Sequence, residues 1–153
     1  MALIHSILMG AVAGMRSMTP LAAVTNAARN GKLPRDNGAP SLLANPLASA
    51  GMLALASGEI AGDKMKSAPD RIVLPGMVAR VATGMIAGAA LAPRQQRGIA
   101  AVLGAAAAVG AAYLTFNLRM RAIERYGQTR TGAVEDAMAV GAAALIVRSA
   151  ADE

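Results

Sequence analysis

Residues 98–118 carry no charged side chain, and that stretch constrains the fold more than any other feature of the chain. It is made of Ala, Gly, Val, Leu and Ile, with Tyr113, Thr115, Phe116 and Asn117 only near its end. About 20 apolar residues in helical form cross the hydrocarbon of a bilayer. Comparable runs occupy residues 2–28, 41–62 and 72–92, and a fifth, 131–148, opens with Glu135-Asp136. Hydrophobic residues make up 55% of the 153 and charged residues 16%, against roughly 25% charged in a soluble domain. Much of the apolar content is Ala and Gly, with no Trp and one Phe, so a soluble core would bury little area per residue. In a membrane, small side chains instead let helix backbones approach closely. The expectation is an all-α integral membrane protein: a single domain with about five transmembrane helices and the lipid bilayer as its first partner.

Small residues recur at helical spacing within the runs. Gly10, Ala13, Gly14 and Ser17 form one such face, Gly84, Gly88 and Ala92 a second, and Gly104, Ala108 and Ala112 a third. The first run lacks a basic segment ahead of its apolar part and meets its first strong charge, Arg16, midway, so it reads as a retained helix and not as a secretory signal. Thr19-Pro20 predicts a kink or break, because Pro20 lacks a backbone donor and crowds the carbonyl four residues earlier. Residues 29–40 are a polar connector with turn residues Gly31, Pro34, Asn37-Gly38 and Pro40. Ala68-Pro69-Asp70 predicts another turn.

Several functional classes drop out. Without cysteine there is no disulfide framework, thiol nucleophile or Cys-based metal site, and a single histidine, His5, rules out a His-rich zinc site. No cofactor is called for. The net charge of +6 would suit nucleic acid, but the basic residues are scattered among the junctions and few aromatics are present to stack bases, so nucleic acid is not an expected partner. Basic junctions suit anionic headgroups better. Lys and Arg divide almost evenly between the two sides of a five-helix arrangement, so the positive-inside rule assigns no orientation. A homo-oligomer is expected, a dimer foremost, and an even charge balance is compatible with an antiparallel pair. Ser57–Met65 also aligns weakly with Thr131–Met138, matching Asp63 to Asp136. That suggests an inverted-topology repeat relating helices 1–2 to helices 4–5.

Charges inside or at the ends of apolar runs need a reason. One at mid-bilayer costs ~2.5–3.5 kcal/mol even on the milder insertion scale, so such residues pair or face a wet cavity. Arg16, Glu59, Asp63, Glu135 and Asp136 are the candidate ion- or solute-binding residues, with Asn117 as a late polar group. Glu59 and Asp63 lie four apart and share a helix face. Arg16, flanked by apolar residues and followed by the helix-breaking Pro20, is expected to pair with Asp63 or Asp136. Blander roles stand beside these: Glu59 pairing with Lys66 or Arg71 at the surface, Glu135-Asp136 favouring a helix N-terminus, and Arg80 snorkelling to the interface.

Three stretches in order, Gly14-Met15-Arg16-Ser17-Met18-Thr19-Pro20, Glu59-Ile60-Ala61-Gly62-Asp63-Lys64 with Asp70 and Leu74-Pro75-Gly76 after it, and Glu135-Asp136-Ala137, resemble an uncharacterised bacterial membrane-protein family, domain of unknown function 4126. The resemblance implies a bacterial inner-membrane location and draws attention to the same acids, and it implies no activity. The leading expectation is a small multi-pass transporter or channel for an ion or small solute. In it the acids carry protons or cations, and Arg16 holds an anion or acts as counter-ion. The alternative is a structural or regulatory membrane protein whose buried charges fix helix packing. A lipid-headgroup enzyme using paired carboxylates ranks last, because no nucleophile or phosphate-loop motif supports it.

Overall fold

A computed structural model of the chain describes residues 2–63 and 73–152. The proposed turn at Ala68-Pro69-Asp70 and the partners Lys66 and Arg71 lie outside the described residues. Among those described, the fold is helical and contains no β-strand. Its α-helices are α1 (Ala2–Met15), α2 (Thr19–Arg29), α3 (Pro46–Gly62), α4 (Leu74–Leu91), α5 (Arg97–Tyr126) and α6 (Gln128–Ala151). Short 3-10 turns at Ser41–Ala44 and Arg94–Gln96 lead into α3 and α5. Two stretches are long and apolar enough to cross a membrane, Leu74–Leu91 and Arg94–Tyr126. That falls short of the five anticipated, because the first run is divided, α3 has only 17 residues, and α6 carries Arg130, Glu135, Asp136 and Arg148.

The division of that run is the main departure from expectation. Pro20 sits in the first turn of α2, where its missing N–H costs nothing, and α1 stops at Met15. The chain then reverses. Val24 and Ala27, late in α2, share an apolar core with Met9 and Val12 of α1, Leu91 at the end of α4 and Val147 and Ala150 late in α6. The connector beyond α2 reaches the same end of the molecule, where Gly38 N donates to Ala92 O at 2.8 Å. Residues 2–28 are therefore a helical hairpin with its tip at Arg16-Ser17-Met18, not one spanning helix. With 14 and 11 residues, its arms are only ~21 and ~17 Å long at 1.5 Å per residue.

Three small-residue faces hold the centre together. A Cβ added to Gly10 would collide with Gly104, and one added to Gly14 would lie 2.5 Å from Ala108 O. From α4, which also packs on α1, a Cβ on Gly84 would lie 2.7 Å from Gly104 O, and one on Gly88 2.7 Å from Ala100 O. The faces read from the sequence are thus the α1–α5 and α4–α5 contacts, with Gly104 between both. The order of these pairs gives direction: α5 runs parallel to α1, whereas α4 runs antiparallel to both. Helix α6 is antiparallel to α1, since His5 Nε2 lies 3.2 Å from Ser149 Oγ at one end and Arg16 meets Asp136 towards the other. Because α1 and α5 share a direction, the packing of these two helices gives no support to the inverted repeat of helices 1–2 with 4–5.

Chain ends and turns follow from local chemistry. Asn45 starts α3 by accepting from Leu47 N at 2.8 Å, with Pro46 next. Gly127, at φ 84°, joins α5 to α6 in a conformation that a side chain would strain. Helix α5 runs about two turns past Leu118, where its apolar run ends, because Arg, Met, Ala and Glu all support helix.

Candidate functional site

The hairpin tip brings together two helix ends of opposite sign. The C-terminus of α1 presents free carbonyls and the N-terminus of α2 free N–H groups, equivalent to roughly half a unit charge each. Met18, at the start of α2, offers no side-chain cap. Glu59 supplies it from α3: its Oε1 accepts from Ser17 N and Ser17 Oγ, both at 2.8 Å, and its Oε2 accepts from Met18 N at 2.9 Å. At the other helix end, Arg80 Nε donates to Gly14 O at 3.1 Å and Arg80 Nη1 to Gly76 O at 2.9 Å. Arg80 is therefore buried, 4% exposed, and does not snorkel. The Gly14 carbonyl at the end of α1, with the Gly76 carbonyl on its own helix, draws its guanidinium inward.

Arg16, at 1% exposure, lies at the centre. Its Nη2 is 2.9 Å from Asp63 Oδ2 and also meets Asp136 Oδ1, so both anticipated partners are engaged at once. Arg119 completes the knot. Its Nη2 is 2.6 Å from Asp63 Oδ2 and its Nη1 2.7 Å from Glu135 Oε2. Asp63 thus bridges two guanidiniums, while its carbonyl accepts from Gln128 Nε2 at 3.2 Å. Glu135 and Asp136 lie two turns into α6 and not at its N-terminus, so their contacts are with Arg119 and Arg16 and not with the helix end.

Of the residues singled out from the sequence, Arg16, Glu59, Asp63, Glu135 and Asp136 converge, with Pro20 just beyond the tip. Asn117 does not. It is exposed and donates to Tyr113 O at 2.9 Å, one turn back on its own helix. Arg119 lies just past the apolar part of the fourth run and is the residue that sequence reasoning missed. It lies seven residues beyond Ala112, on the stripe that buries Ala100, Gly104, Ala108 and Ala112, so the extension of that face was the available signal. Among the described residues, no group of three or more His, Asp or Glu is arranged to hold a metal ion. Guanidiniums stand between the carboxylates.

Two cavities flank the knot. One of about 520 Å³ lies between α5 and α6 and reaches Met15, Arg119 and Glu135. The other, about 760 Å³, lies among α2, α3 and α6 and runs from Thr19 at the tip to Arg148 at the far end. No protein-family model, curated protein or solved structure matches this chain.

Proposed function

We propose that this chain is a multi-pass protein of a bacterial inner membrane that moves a proton or small cation, with the charged knot as its binding site. The observation that supports the reading is that Asp63, Glu135 and Asp136 converge on Arg16 and Arg119 in one buried cluster beside the hairpin tip. Its carboxylates can take up a proton or hold a small cation, which its guanidiniums cannot. Depth matters as well. Arg80 is six residues into α4, about 9 Å from its start, so if α4 spans a bilayer the knot lies below the interface. Charges at that depth are expensive and mark ion paths. The membrane placement agrees with what the resemblance to the uncharacterised membrane-protein family implies, and a homodimer is the assembly we propose.

Purified protein in liposomes with an internal pH dye and an imposed potential tests the idea. The expected result is a flux that Asp63→Asn abolishes while helicity is retained. Full flux in both Asp63→Asn and Arg16→Ala refutes the site.

A second reading has its own support: the tip's two helix ends are each met by an opposite charge, which suffices to explain Glu59 and Arg80 as parts of the scaffold. It predicts no flux in the wild type and loss of stability in the same variants.

A further inference from the structure

The cavity among α2, α3 and α6 is an open groove with a charged end and an apolar length. Asn26, Lys32, Arg148 and Asp152 line the end away from the hairpin tip, and all four are exposed. Their placement follows from how two helices finish. At the end of α2, Lys32 N donates to Ala27 O at 2.8 Å while Gly31 takes φ 64°, a closing turn that returns Lys32 to the groove. Asn26 Oδ1 accepts from Asn30 Nδ2 at 3.2 Å, which leaves the Asn26 amide hydrogens to donate elsewhere. On α6, Arg148 lies in the last turn and Asp152 is the C-cap, next to final carbonyls without partners inside the helix. Lys32, Arg148 and Asp152 make no ion pair among the described residues. Towards the tip the groove turns apolar, with Leu53 and Ile60 of α3 and Val140 and Ala144 of α6 as walls and Ala23 of α2 as floor. From Asp152 to Val140 is about 18 Å along α6, close to the ~15 Å of hydrocarbon in one leaflet.

We propose that this groove holds one phosphatidylethanolamine, its phosphate on Lys32 and Arg148, its ammonium on Asp152 and one acyl chain along Ala23, Val140 and Ala144. The occupant follows from complementarity. Two exposed cations and the Asn26 amide offer donors to a phosphate, and the guanidinium of Arg148 fits it in a planar, two-bonded geometry. A carboxylate beside them is misplaced for a purely anionic ligand. It suits a ligand that carries a cation a few bonds from its phosphate, and the negative end of α6 favours the same cation. A primary ammonium donates hydrogen bonds to Asp152, whereas the quaternary ammonium of phosphatidylcholine has none to give. The apolar walls require a tail that a free phosphate ester lacks. The proposal rests on the membrane placement above but not on transport.

Native mass spectrometry of the full chain, delipidated in detergent, tests this against an equimolar mixture of phosphatidylethanolamine, phosphatidylcholine and phosphatidylglycerol with identical acyl chains. The phosphatidylethanolamine adduct is expected to exceed the phosphatidylcholine adduct about threefold, the scale of one exposed ion pair. Asp152→Asn is expected to erase that difference, and Arg148→Gln to weaken all three adducts. Both positions are exposed, and circular dichroism checks that helicity is retained. Ala144→Trp, on the exposed wall of the groove, is expected to lower all three adducts by filling the acyl path. Equal adducts of phosphatidylethanolamine and phosphatidylcholine, or a preference that survives Asp152→Asn, overturn the lipid site. Phosphatidylglycerol bound as strongly as phosphatidylethanolamine shows an end that reads phosphate alone and overturns the choice of headgroup. Loss of the adduct in inorganic phosphate assigns the charged end to free phosphate and also overturns the lipid. Release of the protein from cell membranes by alkaline carbonate overturns the membrane placement itself, whereas retention without a lipid preference overturns this site alone.

Discussion

Removing Glu59 tests whether the hairpin tip is held by a cap supplied from another helix. In Glu59→Ala, Ser17 N, Ser17 Oγ and Met18 N lose their shared acceptor at 2.8–2.9 Å. Two of these are backbone donors ahead of α2, which have no partner within the helix. A hydrogen bond to a charged group contributes about 1.5–3 kcal/mol, and an orphaned buried donor costs about 1–3 kcal/mol. The three bonds share one carboxylate and so are not additive. Glu59 is also half-buried, so water at the tip recovers part of the loss. A net destabilisation of about 2–4 kcal/mol is expected on that basis. Glu59→Gln keeps one acceptor oxygen and loses the charge that faces the α2 N-terminus, so it should fall between the wild type and Glu59→Ala. Equilibrium unfolding in detergent, followed by circular dichroism, gives the energies, and amide exchange gives the location: Ser17 and Met18 should lose protection before the centres of α4 and α5. An alanine variant with wild-type stability and unchanged exchange at Ser17 and Met18 refutes the cap.

Two further outcomes follow from the packing and the knot. Gly104→Ala places a methyl group against the Gly84 carbonyl and 3.4 Å from Gly88 Cα. An overpacking cost of about 1–3 kcal/mol then outweighs a helix-propensity gain of about 1 kcal/mol. Gly110→Ala, on the same helix with nothing within 4 Å, should keep only the gain, and equal unfolding midpoints for the two variants would contradict the α4–α5 contact. Arg119→Met leaves the Glu135 carboxylate without its guanidinium and should cost about 3–5 kcal/mol, as removing one member of a buried ion pair does. Adding Glu135→Gln should restore much of that, because Asp63 keeps Arg16, and a double variant no more stable than the single one counts against the pairing.

The sequence disclosed the stripes and the cost of the charges, and failed on direction. Gly84, Gly88, Gly104 and Ala108 were legible because close helix contact requires small residues at a fixed spacing, whatever the partner. Arg16, Asp63 and Asp136 were legible for a related reason: opposite charges stranded in apolar runs have few places to go but one another. Pro20, by contrast, says where a helix stops and not where the chain goes next. The reversal at Ser17 depends on Val24 and Ala27 finding the core beside Met9 and on Glu59 arriving from α3, neither of which is local. Arg80 was misplaced for the same reason, since its attraction inward depends on the carbonyl of Gly14, which is free only because α1 ends there. Arg119 escaped the sequence reading because hydropathy stops at Leu118, although the buried stripe of α5 does not.

These failures share one physical cause. A helix that breaks inside the structure exposes a carbonyl end and an amide end together, and in apolar surroundings each must meet a partner of opposite sign. Glu59 and Arg80 do so directly. Arg16, placed at the break by the sequence, then adds a positive charge that Asp63 and Asp136 balance, and Arg119 in turn balances Asp63 and Glu135. The charged cluster and the hairpin are therefore one feature. A continuous helix over residues 2–28 would supply no helix ends for Glu59 and Arg80 to cap, and it would carry Ser17 and Met18 away from α3.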